Sequence, residues 1–356
     1  MSNTLILPSY TIGVDAYDYI PSVCCSLGSK ILIIGGETAI KKSLSKVTSA
    51  LRGSSLLIIA VEIFKGECTY NEIKRLVSLS KELKVDMILG VGGGKALDTA
   101  KGVAYEAKLP IITLPTIAAS CAAVTALSVV YKEDGSFDSF YYLRKPPCHC
   151  FIDTEIIEEA PVQYLRAGMG DALGKHYEAQ LSSRGDELSH SSALGVTISN
   201  MCGAPILKYG KKALEECKEG LAGKALEYVV LSNIVSTGLV SILVEDCYNC
   251  AVAHSLFYGL EILPGFEESH LHGDVVAYGV LIQLLIDNQE EEYHKLKSFL
   301  KGIGIATTLK EMGVECDYSL LRPVLYETLT SPDMEHLPYS ISEETLWKAI
   351  KKAEYL

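Results

Sequence analysis

The sequence predicts a two-part α/β chain: a mostly parallel sheet covered by helices, followed by an all-helical half. Three observations predict this. Short apolar runs alternate with longer helical patterns through the first 160 or so residues, as expected of strands joined by helical crossovers. One apolar run ends in three consecutive glycines and passes straight into a helical pattern. Beyond Pro161 the chain carries long helical patterns and few strand-like runs. The expected domains are therefore 1–160, α/β, and 161–356, helical.

Taken in order, residues 31–34 read as a strand that stops at Gly35-Gly36. Residues 56–64 are apolar and β-branched, and Gly66 closes them. Residues 71–84 place Ile73, Leu76, Val77, Leu79 and Leu83 at helical spacing. Residues 86–91 form a third strand before Gly92-Gly93-Gly94, and 95–106 a helix. A fourth strand is expected at 110–114, with 127–131 and 150–153 completing the set. An Asp-Gly turn signal within 132–140 predicts a small hairpin. In the helical half, Gly168, Gly170, Gly259, Gly265 and Gly273 punctuate the pattern. Residues 225–244 are about long enough to span a bilayer. They contain Glu227, Asn233, Thr237 and three serines, and Glu245-Asp246 follows at once. Such a segment is expected to be buried among helices, not to face lipid.

With 356 residues, 48% of them apolar, the chain can bury two sizeable cores. The 44 acidic residues outnumber 32 basic ones, for a formal charge of −12. No lysine or arginine cluster supplies a basic face, which argues against nucleic acid as a partner. The opening MSNTLILPSYTIG has no basic stretch and no long apolar core, so no signal peptide is read. The eleven cysteines follow no framework pattern. Reduced thiols and a cytoplasmic location, with no membrane association, are expected.

The segment VDMILGVGGGKALDTAK is the strongest local signal. Glycines allow close approach of the backbone to a ligand, and the following helix offers free N–H groups suited to a pyrophosphate. It is neither G-x-G-x-x-G nor a P-loop: Leu89 stands where the latter needs its first glycine, and Ala96 follows Lys95. A tight strand-to-helix turn without a ligand fits the same residues.

Three segments carry candidate metal ligands: AGMGDALGKHYEA with Asp171 at an expected helix start, AVAHSLFYGL with His254 mid-helix, and HLHGDVVAYG with His272 before another helix. Two imidazoles and a carboxylate suit a divalent first-row ion and leave coordination positions open. Singly, Asp171 also reads as a helix cap and His254 as a core histidine. A second arrangement, Cys247, Cys250 and His254 with Cys148-His149-Cys150 upstream, mimics a structural zinc site.

With GVGGGKALDTAK, LPTIAASCAAVTALSVVY, GECTYNEIKRL, GMGDALGKHYEA and the two histidine segments, the whole chain resembles the glycerol dehydrogenase-like, group III iron-containing alcohol dehydrogenases. The resemblance implies a Rossmann-like N-terminal domain, a helical C-terminal domain and a cleft between them, the dehydroquinate synthase-like fold. It implies a metal held by Asp171, His254 and His272, with zinc favoured over iron. It puts Gly93, Gly94, Lys95 and Asp98 by the cofactor pyrophosphate, and Thr116, Ala119, Thr125, Leu127 and Tyr131 on the nicotinamide side. A homo-oligomer, dimer or octamer, is also implied.

Three departures from the family pattern stand out. Where glycerol dehydrogenases carry S-T-D-A-P, this chain has Ser120-Cys121-Ala122-Ala123 after Ala119. Cys121 cannot accept a polyol hydroxyl as a carboxylate does, so it is a candidate substrate-contacting residue. The change, together with HLPYSISEETLWKAIKKAEYL, resembles the hydroxycarboxylate dehydrogenases of the family. The H-x-x-H-N-G pattern reads His254-Ser255-Leu256-Phe257-Tyr258-Gly259, lacking the second histidine and the asparagine. Finally, Gly36 replaces the ribose-binding aspartate, beside Glu37. Gly36 with Thr38, Lys41 and Lys42 favours NADP and Glu37 argues for NAD, which leaves a slight lean to NADP. The expected function is metal-dependent NAD(P) oxidoreduction of a small-molecule substrate, foremost reduction of small 2-oxo acids. Polyol dehydrogenation and an inactive nucleotide-binding homologue are the alternatives.

Overall fold

The computed structural model describes residues 4–356. Two compact units form: one runs up to Pro161 and includes Glu216–Glu227, and the other comprises Val162–Glu215 and Tyr228–Leu356. The single boundary read near 160 does not anticipate the return of Glu216–Glu227 to the first unit.

In the first unit the strands are β1 (Tyr10–Gly13), β2 (Lys30–Gly35), β3 (Leu57–Ile63), β4 (Met87–Gly92), β5 (Ile111–Pro115), β6 (Leu127–Tyr131), β7 (Phe137–Tyr142) and β8 (His149–Asp153). Six of them form one parallel sheet in the order β1-β8-β5-β4-β2-β3. The helices are α1 (Ile20–Cys24), α2 (Glu37–Ala50), α3 (Tyr70–Glu82), α4 (Gly94–Ala107) and α5 (Thr154–Glu158). Strand alternation sends Ile31, Ile33, Leu89 and Val91 to one apolar layer with Ile40 and Val47 of α2. Leu32, Ile34 and Ile88 enter the opposite layer with Ile73 and Leu76 of α3 and Val103 of α4. Burial on both faces is why these strands read as unbroken apolar runs. The Asp-Gly signal makes the antiparallel β6–β7 hairpin, with Gly135 at φ +87°. Strand β1 was not expected: its four residues, YTIG, carry too short a pattern.

The second unit is helical. Its helices are α6 (Val162–Ser182), α7 (His190–Ile198), α8 (Asn200–Lys218), α9 (Lys224–Val230), α10 (Thr237–Leu243), α11 (Val252–Glu261), α12 (Phe266–Ser269), α13 (His272–Ile286), α14 (Glu290–Ile303), α15 (Tyr318–Thr330) and α16 (Glu343–Tyr355); α8 and α9 straddle the division. A π-helical turn, Leu231–Ser236, joins α9 to α10. The resulting run, Lys224–Leu243, is long and apolar enough to cross a membrane by length and composition. Here its polar groups are turned to protein partners: Asn233 Nδ2 donates to the Leu165 carbonyl at 3.1 Å and Thr237 Oγ1 to that of Ser232 at 2.8 Å.

Two glycines read as breaks lie inside helices. Gly170 is internal to α6, and Gly273 sits in the first turn of α13. A Cβ on Gly170 would lie 2.0 Å from the Gly273 carbonyl oxygen, and one on Gly273 1.8 Å from that of Ala167. The backbones of α6 and α13 therefore touch, which only hydrogen in place of Cβ permits. The expected helix start at Asp171 is corrected accordingly: the flanking glycines serve close packing and the helix runs through them.

Candidate metal centre and dinucleotide turn

The α6–α13 crossing sets Asp171, next to Gly170, beside His272, the first residue of α13. Arg166 pairs with Asp274 through Nε–Oδ1 (3.2 Å) and Nη2–Oδ2 (2.5 Å), pinning the same two helices. His254 enters from the first turn of α11, which α13 approaches closely: a Cβ on Gly279 would lie 2.6 Å from the Ala253 carbonyl oxygen. His254 is thus in an opening turn, not mid-helix.

The three side chains converge. Asp171 Oδ1 is 3.6 Å from His254 Nε2 and 3.4 Å from His272 Nε2, and all three candidate ligand atoms lie within 4.8 Å of one another. Among the described residues this is the one group of three such ligands close enough to share an ion. The separations exceed good hydrogen bonds. The two carboxylate–imidazole separations match the edge of a tetrahedron with metal–ligand bonds of 2.0–2.1 Å, about 3.4 Å. Asp171 and His254 are buried, and His272 is half exposed. Burial alone would raise the Asp171 carboxyl, but the two imidazoles outweigh it and hold it well below the usual carboxylate range.

Sequence reasoning missed Glu178. Two turns beyond Asp171 on α6, it is fully buried and receives His254 Nδ1 at 2.5 Å through Oε2. Its Oε1 accepts the N–H groups of Ala251 (2.8 Å) and His254 (2.9 Å), at the otherwise uncapped start of α11. One carboxylate therefore caps a helix, fixes the imidazole and turns Nε2 towards Asp171. Phe257, in place of the family's second histidine, packs edge-on against His272 with ring centroids 4.3 Å apart. The alternative cysteine arrangement forms no ligand group: among the described residues only Asp171, His254 and His272 lie close enough together to share an ion.

In the first unit, β4 runs into Gly93, the N-cap of the 14-residue helix α4, where no side chain caps the first turn. Those N–H groups remain to donate to an anion. A Cβ on Gly94 would meet nothing closer than Ser120 Oγ at 3.5 Å. Thr116 N–H donates to the Gly92 carbonyl at 3.1 Å, joining the ends of β4 and β5. Gly36 and Glu37 open α2, and a Cβ on Gly92 would lie 3.8 Å from the Gly36 nitrogen. Gly36, Gly93, Gly94 and Thr116 thus line the carboxyl ends of adjacent strands, where α/β folds receive nucleotides. Lys95 reaches Glu67 (2.6 Å) and lies 4.9 Å above the Tyr131 ring.

Asp98 turns inward. It is 2.8 Å from Lys101 Nζ and accepts the Val129 N–H at 3.1 Å. Lys101, fully buried and not anticipated, also donates to the Leu127 carbonyl and, at 3.3 Å, to Thr125 Oγ1. Asp98, Thr125 and Leu127 are therefore joined by one buried ammonium. Ala119 and Cys121 are partly exposed in the segment after β5. Of the lysines near Gly36, Lys42 is paired with Glu159 at 2.7 Å.

Comparison with known proteins agrees with this architecture. Residues 8–154 match the iron-containing alcohol dehydrogenase family. The chain is 34% identical to glycerol dehydrogenase of Citrobacter freundii, over 98% of this chain and 95% of that one. It is 32% identical to hydroxycarboxylate dehydrogenase A of Escherichia coli, over 92% and 90% respectively. The crystal structure of glycerol dehydrogenase from Schizosaccharomyces pombe superposes with a TM-score of 0.89 at 27% identity, covering 99% of this chain and 90% of that one. A helical trio presenting one carboxylate and two imidazoles, a glycine turn opening a bare helix, and full-length likeness lead to one conclusion: the chain belongs to the iron-containing alcohol dehydrogenase family, with glycerol dehydrogenases among its relatives, and is an oxidoreductase acting on CH–OH groups.

Proposed function

We propose that the chain interconverts small 2-hydroxy acids and 2-oxo acids with a nicotinamide cofactor and one divalent metal. The observation that carries the reading is the convergence of Asp171, His254 and His272, with Glu178 fixing His254 from behind. A cation held there supplies Lewis acidity for a substrate oxygen, and the nicotinamide supplies the redox chemistry. The chain's own contributions are ligand placement, a buried anionic seat formed by Asp171 and Glu178, and an apolar wall from Phe257 against His272.

The separations of 3.4 and 3.6 Å suit zinc's tetrahedral habit, while the family description names iron; the donor set accepts both. For the cofactor, the pairing of Lys42 with Glu159 weakens the lean to NADP and favours NAD. The uncapped start of α4 supports pyrophosphate binding by Gly93, Gly94 and neighbouring N–H groups.

The substrate class rests on Cys121. A thiol there removes the carboxylate that would accept polyol hydroxyls, and with it a charge that would repel an anion. The likeness to hydroxycarboxylate dehydrogenase A supports the same reading. Glycerol oxidation is the second reading, favoured by the slightly greater identity to a glycerol dehydrogenase. Zinc- or iron-loaded protein assayed with 2-oxobutanoate, dihydroxyacetone and glycerol, and with both cofactors, separates the two. Faster 2-oxobutanoate reduction is expected, and Cys121→Asp should lower the 2-oxo acid to glycerol ratio of kcat/KM by at least about tenfold, one charge interaction's worth. Wild-type preference for glycerol would reject the 2-oxo acid reading.

A further inference from the structure

Helix α4 carries two charged side chains that solvent scarcely reaches. Lys101 is fully buried, and Asp98, one turn earlier, is 5% exposed. Lys101 Nζ lies 2.8 Å from Asp98 Oδ1. Replacing a buried ion pair by apolar side chains of similar volume is often neutral or stabilising, so stability alone does not account for this one.

The pair reaches the segment that opens β6. Lys101 Nζ donates to the Leu127 carbonyl, to Thr125 Oγ1 at 3.3 Å and to the Thr125 carbonyl at 3.5 Å. Without a cation among them, these oxygens would face one another unsolvated. Asp98 Oδ2 accepts the Val129 N–H at 3.1 Å, and the Asp98 carbonyl accepts Ser128 Oγ at 3.0 Å. Thr125, Leu127, Ser128 and Val129 are thus each bonded to Asp98 or Lys101.

These bonds matter because the β6–β7 hairpin shares no ladder with the six-stranded sheet. The Tyr131 N–H ties the far end of β6 to the Cys68 carbonyl at 2.8 Å; Asp98 and Lys101 tie the near end. The same helix begins at the uncapped turn of Gly93 and Gly94, two turns before Lys101. The chain between β5 and β6 runs past that turn: a Cβ on Gly93 would lie 2.7 Å from Ile117 Cδ1, and one on Gly94 3.5 Å from Ser120 Oγ. One helix therefore sets both the anion-binding turn and the opening of β6. A dinucleotide anchored by its pyrophosphate meets its remaining contacts only if that spacing holds.

We propose that Lys101 is a positioning residue for the nicotinamide half of the cofactor, holding Thr125 and Leu127 in place relative to the glycine turn. The inference rests on the reading above that a nicotinamide dinucleotide binds at this turn. It assigns Lys101 no contact with the cofactor.

The test compares wild type with Lys101→Met and with the double variant Asp98→Asn/Lys101→Met, which removes both charges. Calorimetry measures the Kd of NADH and of ADP-ribose, which keeps the pyrophosphate and both riboses but lacks the nicotinamide. Fluorescence of bound NADH reports the surroundings of the reduced ring. In both variants NADH should weaken at least about tenfold, the loss expected of a hydrogen bond to a charged group. The fluorescence gain on binding should fall towards that of free NADH. ADP-ribose should stay within about twofold of wild type, which also shows that each variant is folded. Should Lys101→Met fail to fold, the double variant, with no unpaired charge to bury, decides the outcome. Equal weakening of both ligands, or NADH affinity and fluorescence that match wild type, overturns the role of Lys101. Wild type that binds ADP-ribose as tightly as NADH, with no fluorescence gain, overturns that role but leaves a nucleotide at the glycine turn. Wild type that binds neither ligand overturns the dinucleotide reading and the role of Lys101 with it.

Discussion

Glu178 buries a full carboxylate away from bulk solvent, and three donors supply what solvent would have given: two backbone N–H groups and one imidazole nitrogen. The arrangement is reciprocal. Without the imidazole the carboxylate loses a partner, and without the carboxylate His254 loses its tautomer and orientation. Glu178→Gln keeps the volume and one acceptor but removes the charge. The variant should fold, yet release its metal about 10- to 100-fold more readily, in line with other residues that orient a metal-binding histidine. Chelator competition read by metal analysis checks this, and unchanged retention would remove Glu178 from the site. Asp171, His254 and His272 were legible in the sequence only through the family pattern, since their spacings of 83 and 18 residues match no local motif. Glu178 was not legible. A glutamate on a helix ordinarily marks a solvated face, and only the packing of α11 on α6 turns it inward.

At the scale of elements, glycine was the residue most easily misread. A sequence shows that Cβ is missing but not which neighbour fills the space, so Gly170 and Gly273 read as turns when they are contact points between helices. Ala at Gly273 would put Cβ 1.8 Å from a carbonyl oxygen of α6 and must drive the helices apart. The expected cost is about 3 kcal/mol or more, the upper range for overpacked cores, together with loss of metal, because Asp171 and His272 flank that crossing. Thermal unfolding and metal content measure the two effects separately. Alanine at Gly53, where no atom lies within 4 Å of the added Cβ, is the steric control; its φ of +77° adds only backbone strain.

Helix α11 carries a different tension at its other end. Glu261 closes the helix, where the dipole disfavours an anion. Burial, with Glu267 nearby, pushes its carboxyl up to about 7 from 4.5. Between those pH values the unfolded chain ionises while the folded one keeps its proton, so stability falls as pH rises, and the loss is complete above 7. Glu261→Gln should flatten that slope and exceed the wild type at pH 8 by on the order of 1 kcal/mol, after allowing for screening by solvent. Below pH 4.5 the two proteins should converge. Denaturant unfolding across this range reads the difference directly.

For the whole molecule, the alternation of strand and helix was legible because both faces of the sheet are covered, so inner strands such as β4 and β5 are buried along their whole length and mostly apolar. The helical half was legible as helix but not as architecture: its assembly depends on backbone approaches that carry no periodicity. β1 was lost because four residues are too few to show alternation, and Glu216–Glu227 because partition between units is decided by packing at a distance. These differences bear on metal removal. All three proposed ligands come from the second unit and from three separate helices, α6, α11 and α13. An ion there binds the folded unit and finds no preformed site in the unfolded chain, so it stabilises by mass action, by about 4 kcal/mol at a thousandfold excess over Kd. The first unit has no share in those ligands. Chelation should therefore lower the unfolding temperature of the helical unit by several degrees and leave nucleotide binding at the glycine turn of the first unit in place. Calorimetry before and after chelation, then after reloading with zinc or iron, tests both halves of the expectation. An unfolding profile indifferent to chelator and to added metal would mean that Asp171, His254 and His272 hold no ion in the folded protein.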